Sequence, residues 1–446
     1  MFRRKVYDRL KYWKNTYDGT YAAMVQGARR VGKSTVAEAF AQHEYRSYIK
    51  VDFANITKEL EDVFSDIANL DMFFLRLQAE AGVTLYERES VIIFDEIQLA
   101  PKVRQAIKYL VHDHRYDYIE TGSLISIRKN VKGIVIPSEE HKIDMYPMDY
   151  EEFLWATGSD NYDLIKKMVD MGKPIGDSIN QKLMRDFRVY MAVGGMPQAV
   201  SAYVQKKDFA EIDKIKREII ELYKEDFNKI DQSGLISRIF ESIPSQLALK
   251  KKRFVISRAT GKKKSSKDEE RLADLLSSKT VQICNNVTDP GVSLSQTTSV
   301  DEFKLYLSDT GLFTTLLFND ESQAHEDIYR KLLSNRLPAN LGFLYENMAA
   351  QIIAASGRKL YYHVWRKDNS THSYEVDFLV VSKTKVIPIE IKSSRTRPHD
   401  SMDAFVEKYS KYIGEKIIAS KRDIGRDGEI KLWPMYCLPA IMELLH

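Results

Sequence analysis

The feature that most constrains the fold is an eight-residue loop near the N-terminus, because it requires a strand before it and a helix after it. Residues 27–34 read GARRVGKS and match the phosphate-binding pattern G-x-x-x-x-G-K-[ST] without a mismatch. Residues 21–25 are typical of a short buried strand, and residues 35–42 of a helix. Inward-facing backbone N–H groups and the positive end of the helix dipole favour phosphate at such a loop. The loop therefore predicts a nucleotide-binding site.

The residues of this loop have distinct expected roles. Lys33 can reach the β- and γ-phosphates of a nucleotide, and the Ser34 hydroxyl can ligate Mg²⁺. A chance match in a glycine turn is the alternative, and the flanking strand and helix argue against it. The residues expected to contact the nucleotide are Gly27, Ala28, Arg29, Arg30, Val31, Gly32, Lys33, Ser34 and Thr35.

A second segment supports this site, an apolar run over 91–94 that ends in Asp95 and Glu96. Such runs are typical of parallel strands that are buried on both faces, and ligands of these sheets lie at the carboxyl ends of the strands. We expect Asp95 to hold Mg²⁺, usually through water, and Glu96 to orient the water that attacks the γ-phosphate. Taken alone, the segment could equally be a strand that ends in an ordinary acidic turn.

A third strand leads to two further polar candidates, Thr121 and Ser123. A polar residue at the tip of this neighbouring strand commonly senses the γ-phosphate in AAA-type ATPases. We include Ser123 among the catalytic residues on that basis, with Thr121 as its competitor. For either residue singly, a plain turn after a strand explains the pattern nearly as well.

Bulk properties limit the class of protein. A chain of 446 residues is too long for one core and suggests two to four domains. Hydrophobic residues at 44% and charged residues at 29% are typical of a soluble globular protein. No apolar run approaches the length of a membrane span, and the N-terminus lacks the apolar core of a signal peptide. Cys284 and Cys437 cannot form a disulfide framework or a zinc site. From these properties together we expect a cytoplasmic protein without a membrane partner.

The charge distribution is uneven although the net charge is only +4. Residues 250–267 contain nine Lys or Arg and no Asp or Glu. Such a basic segment is an electrostatic footprint for a nucleic-acid backbone. A solvated loop has the same appearance, so this segment predicts a DNA partner only as one of two even alternatives.

A second acidic constellation lies near the C-terminus, where residues 374–381 and 386–392 predict two strands joined by a short turn. Because side chains alternate along a strand, Glu390 and Lys392 share one face. A hairpin centred between Lys383 and Thr384 places Asp377 directly opposite Glu390, with Cβ atoms about 5 Å apart. Two carboxylates that close repel each other unless a cation lies between them.

These carboxylates predict a second metal site, with Asp377 and Glu390 as ligands of Mg²⁺ or Mn²⁺. Lys392 would lie beside the metal and orient a water or stabilise a developing phosphorane. Glu346, on an amphipathic helix upstream, could point at the same site. The set fits metal-assisted phosphodiester hydrolysis. A surface hairpin with ordinary charges is the alternative.

The joint order of these motifs resembles that of prokaryotic ATPases that fuse an AAA-type P-loop domain to a C-terminal domain of unknown function. The resemblance implies ATP binding and a C-terminal end similar to the PD-(D/E)XK nuclease fold. By that similarity, the nuclease positions are occupied by Glu346, Asp377, Glu390 and Lys392. The blocks that carry the resemblance are 27–34 (GARRVGKS), 93–98 (IFDEIQ), 121–124 (TGSL), 146–154 (YPMDYEEFL), 194–197 (GGMP), 306–312 (YLSDTGL), 375–378 (EVDF) and 389–392 (IEIK).

One departure from the resembling family concerns arginine. Relatives often carry a Gly-Arg pair just before the block that ends in EEFL, whereas residues 136–141 of this chain read IPSEEH. Arg128, or Arg29 and Arg30 in the loop, could substitute. An arginine-finger mechanism, and with it an oligomer, therefore stays open.

The expected fold class is α/β, with four parts along the chain. An AAA-type P-loop domain with a parallel sheet is expected over 1–155, and a helical lid over 156–232. A winged-helix-like region is expected over 233–318, and a restriction-endonuclease-like α/β domain over 319–446.

The function predicted from these parts is an Mg-ATP-binding and hydrolysing ATPase that acts on DNA and has a metal-dependent, nuclease-like C-terminal domain. DNA would contact the basic segment and the winged-helix-like region. The alternative is an ATP-gated DNA- or protein-binding regulator whose nuclease-like domain is non-catalytic. A signalling component with a protein partner is a third possibility, without a positive feature beyond the loop.

Overall fold

The structure, a computed structural model, describes most of the chain. The described residues are 1–65, 67, 69–122, 137–249, 251–263, 265–291, 293–318, 324–334, 342–367, 370–393 and 399–445. Ser123, Arg128, Lys250 and Lys264 lie outside them. The chain divides into two compact units, and each is described by itself. Unit 1 comprises residues 1–146 with 277–279, and unit 2 comprises 147–276 with 280–446.

Unit 1 is built on a parallel sheet whose described strands run in the order β2-β3-β4-β1-β5. The strands are β1 (Ala22–Gln26), β2 (Ser47–Asp52), β3 (Ser90–Asp95), β4 (Asp117–Gly122) and β5 (Glu140–Asp144). The helices are α1 (Lys5–Tyr17), α2 (Lys33–Glu44), α3 (Lys58–Val63), α4 (Leu70–Ala81) and α5 (Pro101–Asp113). The predicted parallel α/β sheet is confirmed.

The central strands of unit 1 explain why their sequences are continuous apolar runs. Every residue of β1, β3 and β4 is buried, as expected for parallel strands covered on both faces. The rings of Phe94 and Tyr118 stack from neighbouring strands with centroids 6.1 Å apart. This packing fixes the strand ends at one edge of the sheet, where the loop of 27–34 and Asp95 meet.

Unit 2 contains a mixed sheet in which the described strands follow the order β12-β13-β11-β10-β9-β8-β6-β7. The strands are β6 (Val281–Val287), β7 (Thr298–Leu307), β8 (Leu360–Arg366), β9 (Ser373–Ser382), β10 (Lys385–Ile391), β11 (Lys416–Ser420), β12 (Gly425–Asp427) and β13 (Ile430–Pro434). Strands β8, β9 and β10 form an antiparallel meander, and β11 runs parallel to β10.

Thirteen described helices begin between residues 150 and 438. They are α6 (Tyr150–Ala156), α7 (Asn161–Met171), α8 (Asp177–Val193), α9 (Pro197–Val204), α10 (Phe209–Ile230), α11 (Leu235–Ala248), α12 (Ile256–Thr260), α13 (Lys267–Ser277), α14 (Thr310–Leu317), α15 (Ala324–Leu333), α16 (Gly342–Ala355), α17 (Asp400–Tyr409) and α18 (Leu438–Leu444). Within the described ranges, none of the helices combines the length and apolar character needed to cross a membrane.

The strands β6 and β7 belong to the same sheet as the C-terminal strands. They pair antiparallel with each other, and β6 pairs parallel with β8. The sequence assigned this hairpin to a separate winged-helix-like region over 233–318. The pairing with β8 instead makes it an extension of the C-terminal sheet. The winged-helix assignment and the domain borders stay predictions.

The β9–β10 hairpin has the predicted register. Val386 pairs with Val381, and Ile389 pairs with Phe378. Backbone pairing ends there, one step before Asp377. Beyond that point the Asp377 side chain links the two strands, because its Oδ2 accepts a hydrogen bond of 2.8 Å from the backbone N–H of Ile391.

Candidate functional site

The loop between β1 and α2 depends on glycine at two positions. A Cβ atom on Gly27 would lie 2.2 Å from the backbone oxygen of Met145, so no other residue fits there. Gly32 has a φ of 97°, a conformation that side chains other than glycine disfavour. Arg30 also adopts a left-handed φ, of 69°. The loop therefore curls tightly before α2 begins at Lys33.

Lys33 is turned into this curl. Its Nζ donates hydrogen bonds to the backbone oxygens of Gly27 at 3.1 Å and Ala28 at 3.0 Å. Burial lowers the pKa of Lys33, although the carboxylates of Glu96 and Asp95 oppose that shift. The ammonium therefore lies inside the loop, where it would meet the phosphates of a nucleotide.

The chain brings a hydroxyl and a carboxylate together beside the loop. Ser34 Oγ donates to Asp95 Oδ1 at 2.7 Å, and the Thr121 hydroxyl donates to the same oxygen. Lys50 Nζ lies 3.7 Å from Asp95 Oδ2. These oxygens are the ligands that Mg²⁺ uses at such loops, so Ser34 and Asp95 fit the predicted magnesium site.

Glu96 has a strained backbone at the end of β3. Its φ of 54° is rare for a residue with a side chain, and such strain concentrates at functional sites. The Glu96 carboxylate accepts a hydrogen bond from Gln98 Nε2, and its backbone N–H donates to Thr121 Oγ1 at 3.4 Å. The Thr121 hydroxyl is thus hydrogen-bonded to Asp95 and Glu96 at the end of β3. Ser123 lies outside the described residues.

The other residues predicted to contact nucleotide differ in exposure. Ala28 and Val31 are buried, Arg29 is half-buried, and Arg30 and Thr35 are exposed. All of them lie in the loop or the first turn of α2. Their assigned roles stay predictions.

Sequence reasoning missed Arg4, which supports the loop from behind. Arg4 Nη1 donates to the backbone oxygen of Val31 at 2.8 Å, and Nη2 donates to that of Tyr146 at 2.7 Å. The side chain is only 5% exposed. Arg4 stands in a basic N-terminal stretch beside Arg3 and Lys5, and no spacing in the sequence distinguishes it from them.

In unit 2, the predicted C-terminal residues come from one helix and two adjacent strands. Glu346 lies on α16, Asp377 on β9, and Glu390 and Lys392 at the end of β10. Lys392 Nζ lies 2.8 Å from Glu390 Oε2. Glu390 is 2% exposed, so its carboxylate is buried beside the Lys392 ammonium.

The electrostatics show that these groups influence one another. Burial raises the pKa of Asp377 well above its usual value, and the carboxylates of Glu346 and Glu390 raise it further. For Lys392, Glu390 and Asp377 outweigh the effect of burial and raise the pKa. Asp377 therefore retains its proton more readily than an exposed aspartate, and Lys392 stays charged.

Three residues of this cluster were not predicted as site residues. Lys304 Nζ lies 2.8 Å from Glu346 Oε1 and 2.5 Å from Glu375 Oε1. The Tyr306 hydroxyl donates to the same oxygen of Glu346. Lys304 and Tyr306 are two apart on β7, so strand alternation places them on one face. Nothing in the sequence indicates that this face meets Glu346.

The C-terminal residues do not fit the predicted metal site. Over the parts of the chain that the structure describes, no three His, Cys, Asp or Glu side chains form a group that could hold a metal ion. One oxygen of Glu346 is already occupied by Lys304 and Tyr306, and Asp377 Oδ2 is occupied by a backbone N–H. Asp377 and Glu390 as ligands of Mg²⁺ or Mn²⁺ thus lack structural support.

The basic segment is largely exposed. The exposed cations among its described residues are Lys251, Arg253, Arg258, Lys262, Lys263 and Lys267. Lys252 is different, because its Nζ donates to the backbone oxygen of Ser373 at 2.9 Å. The segment therefore offers exposed positive charges, of which Arg253 lies 4.0 Å from Glu302 Oε1, and it is anchored to β9 through Lys252.

Family comparisons divide the chain into three matched regions. A model described as an AAA domain matches residues 20–154. Two domains of unknown function match residues 184–323 (DUF8612) and 341–438 (DUF4143). The chain therefore carries an AAA-type P-loop ATPase domain followed by two domains of unknown function. No curated protein matches the sequence.

Solved structures show distant similarity. A Walker-type ATPase of Pyrococcus abyssi is 16% identical, with a TM-score of 0.43 over 71% of this chain and 96% of that chain. A signal transduction ATPase with a tetratricopeptide repeat sensor from Pyrococcus horikoshii is 10% identical, with a TM-score of 0.26 over 77% and 47% of the two chains. Cdc6p of Pyrobaculum aerophilum is 11% identical, with a TM-score of 0.22 over 75% and 94%.

Proposed function

We propose that this protein binds and hydrolyses Mg-ATP. The observation that carries the proposal is the meeting of Ser34 Oγ with Asp95 Oδ1 at 2.7 Å, next to a buried Lys33 inside the phosphate loop. Ser34 and Asp95 are 61 positions apart in the sequence, and the fold brings them together. The match of residues 20–154 to an AAA domain supports the same conclusion.

The residues act mainly by positioning and electrostatics, as phosphoryl transfer requires. Lys33 and the loop N–H groups hold the phosphates, and Ser34 and Asp95 would hold Mg²⁺, which neutralises charge on the phosphates when bound. Thr121 and Lys50 keep the Asp95 carboxylate oriented. Glu96 orients the attacking water from the end of β3.

Two substitutions test this assignment. We expect Lys33→Ala to abolish nucleotide binding, because the loop loses the buried ammonium that would neutralise the phosphates. We expect Glu96→Gln to bind ATP normally and to hydrolyse it about 10²-fold or more slowly, since general-base assistance contributes roughly that much. Calorimetric binding and phosphate release measure the two steps.

Lys108→Ala is a matched control, because Lys108 is an exposed lysine on α5. This variant should bind and hydrolyse ATP like the wild type. Normal turnover by Glu96→Gln would assign the orientation of water to another residue. Normal binding by Lys33→Ala would reject the nucleotide site.

The second part of the proposal is that unit 2 acts on DNA under the control of ATP. The exposed cations of the basic segment support it, because exposed lysines and arginines can neutralise backbone phosphates. We expect DNA affinity that falls steeply with salt and changes with bound nucleotide. Affinity that is independent of nucleotide would contradict the control by ATP.

Whether unit 2 cuts DNA or only grips it separates two versions of this function. The gathering of Glu346, Asp377, Glu390 and Lys392 supports a nuclease-like reaction. The ion pair of Lys304 with Glu346 favours a non-catalytic domain, because it neutralises a carboxylate that the reaction would need.

A plasmid assay distinguishes the two versions. Wild type, Glu390→Ala and Lys33→Ala are incubated with supercoiled plasmid, ATP and either Mg²⁺ or Mn²⁺. Cleavage that requires Glu390 would support the nuclease. Equal cleavage by wild type and Glu390→Ala would reject it, and a retained, nucleotide-dependent shift of the plasmid would support gripping. Loss of that shift in Lys33→Ala would show that the two units are coupled.

A further inference from the structure

A lysine from the edge strand of the unit 2 sheet lies among the carboxylates. Lys304 extends from β7, and its ammonium contacts Glu346 on α16 and Glu375 on β9. It also lies 5.3 Å from the ring centroid of Tyr362 on β8. Three consecutive elements that lie well beyond β7 in the sequence thus converge on one cation.

The placement of this lysine is costly unless the site is built for it. Lys304 is 5% exposed, and an ammonium removed from water must recover its hydration energy from protein groups. Two carboxylate oxygens at 2.8 and 2.5 Å and an aromatic face provide that compensation. The carboxylates in turn need a cation, because they lie close to Asp377 and to each other.

Lys304 and a divalent metal would compete for the same ligand. Glu346 Oε1 already accepts the ammonium and the Tyr306 hydroxyl. A metal ion bound to this oxygen would face a positive charge at contact distance in a poorly hydrated site, where like charges repel strongly.

We propose that Lys304 is the built-in cation of this cluster and occupies, at Glu346 and Glu375, the place that a divalent metal would otherwise take. Unit 2 then carries a charge-compensated carboxylate cluster that is complete without metal at Glu346. The inference deepens the proposed non-catalytic version of unit 2. Its test measures metal binding, so its outcome is separate from that of the plasmid assay and of the ATPase assay.

The test is a Mn²⁺ titration of the full-length protein without nucleotide, followed by electron paramagnetic resonance of free Mn²⁺ and by thermal unfolding. Wild type and Glu346→Gln should give the same binding curve, because Glu346 does not hold metal. Lys304→Met should bind one more Mn²⁺ ion than the wild type does. The double variant Lys304→Met with Glu346→Gln should lose that site.

Two controls make the result specific. Lys304→Arg keeps a cation and should gain no site. Lys252→Met removes a nearby half-buried lysine whose ammonium donates to a backbone oxygen and, within the described ranges, pairs with no carboxylate, so this variant should also gain no Mn²⁺ site. Weaker Mn²⁺ binding in Glu346→Gln than in wild type would overturn the proposal, and so would a folded Lys304→Met without a new site. If Lys304→Met does not fold, the comparison of wild type with Glu346→Gln alone decides.

Discussion

At the scale of single residues, the nucleotide loop depends on a side chain outside its own motif. Arg4 reaches the carbonyl of Val31 in the loop and the carbonyl of Tyr146 beyond β5. Its two Nη atoms satisfy two oxygens that are remote from each other in sequence. Arg4 therefore holds the loop in place through two backbone oxygens.

We expect Arg4→Met to weaken ATP binding and to lower the stability of unit 1 by about 1.5–3 kcal/mol, a usual range for a hydrogen bond to a charged group. Arg4→Lys should be intermediate, because an ammonium can replace only one of the two bonds comfortably. Arg9→Met is the matched control, since Arg9 donates an exposed hydrogen bond to the backbone oxygen of Asp144. Binding and chemical unfolding measure the effects. Equal losses in the Arg4 and Arg9 variants would contradict a specific role for Arg4.

At the scale of elements, β4 carries a buried carboxyl that the proposed function does not use. Glu120 is fully buried, and neither oxygen has a hydrogen-bond partner among the described residues. Nearby, Arg104 makes two bonds of 2.7 Å to Glu140 on β5. Burial raises the pKa of Glu120 well above 4.5, the Glu140 carboxylate adds to the shift, and Arg104 opposes it.

This shift has a definite consequence for stability. Because folded Glu120 keeps its proton to higher pH than the unfolded chain does, its contribution to stability is lost as pH rises above about 4.5. Because glutamine cannot ionise, the Glu120→Gln variant does not lose this stability as the pH rises. The free energy of unfolding of this variant relative to wild type should therefore rise between pH 5 and 8, by at most about 1.4 kcal/mol per pH unit. Urea unfolding at several pH values measures it.

Glu80→Gln controls for the general effect of removing a carboxylate, because Glu80 is exposed on α4. The difference in the free energy of unfolding between Glu80→Gln and wild type should stay nearly constant between pH 5 and 8. A constant difference for Glu120→Gln as well would show that folded Glu120 is ionised.

At the scale of the whole molecule, the two compact units make the effect of nucleotide measurable in each. Mg-ATP at 100 times its Kd should stabilise unit 1 by about 2.7 kcal/mol. Hydrogen exchange of the β3 and β4 amides should slow about 100-fold in wild type and Glu96→Gln, and remain unchanged in Lys33→Ala. Changes in unit 2 that require Lys33 would support control by ATP. Unchanged exchange in unit 2 would contradict it.

Much of the nucleotide site and one hairpin could be predicted from the chain alone, because both depend on contiguous residues. Within residues 27–34, Gly32 has a positive φ that a side chain disfavours, and the apolar run before Asp95 indicates a strand buried on both faces. The β9–β10 register follows from a short turn and a period of two, and the observed pairs confirm it.

The partners of these residues could not be predicted, because strand order and helix packing bring them together. The sequence does not indicate which remote elements will touch. Examples are the contacts of Arg4 with Val31, of Lys50 with Asp95 and of Lys304 with Glu346. For the same reason, the sequence predicted a metal at Asp377 and Glu390 and not the lysine side chains that lie among these carboxylates. The sequence indicates that neighbouring carboxylates need a cation, and the folded sheet brings Lys304 of β7 to Glu346 and Glu375, while Lys392 pairs with Glu390.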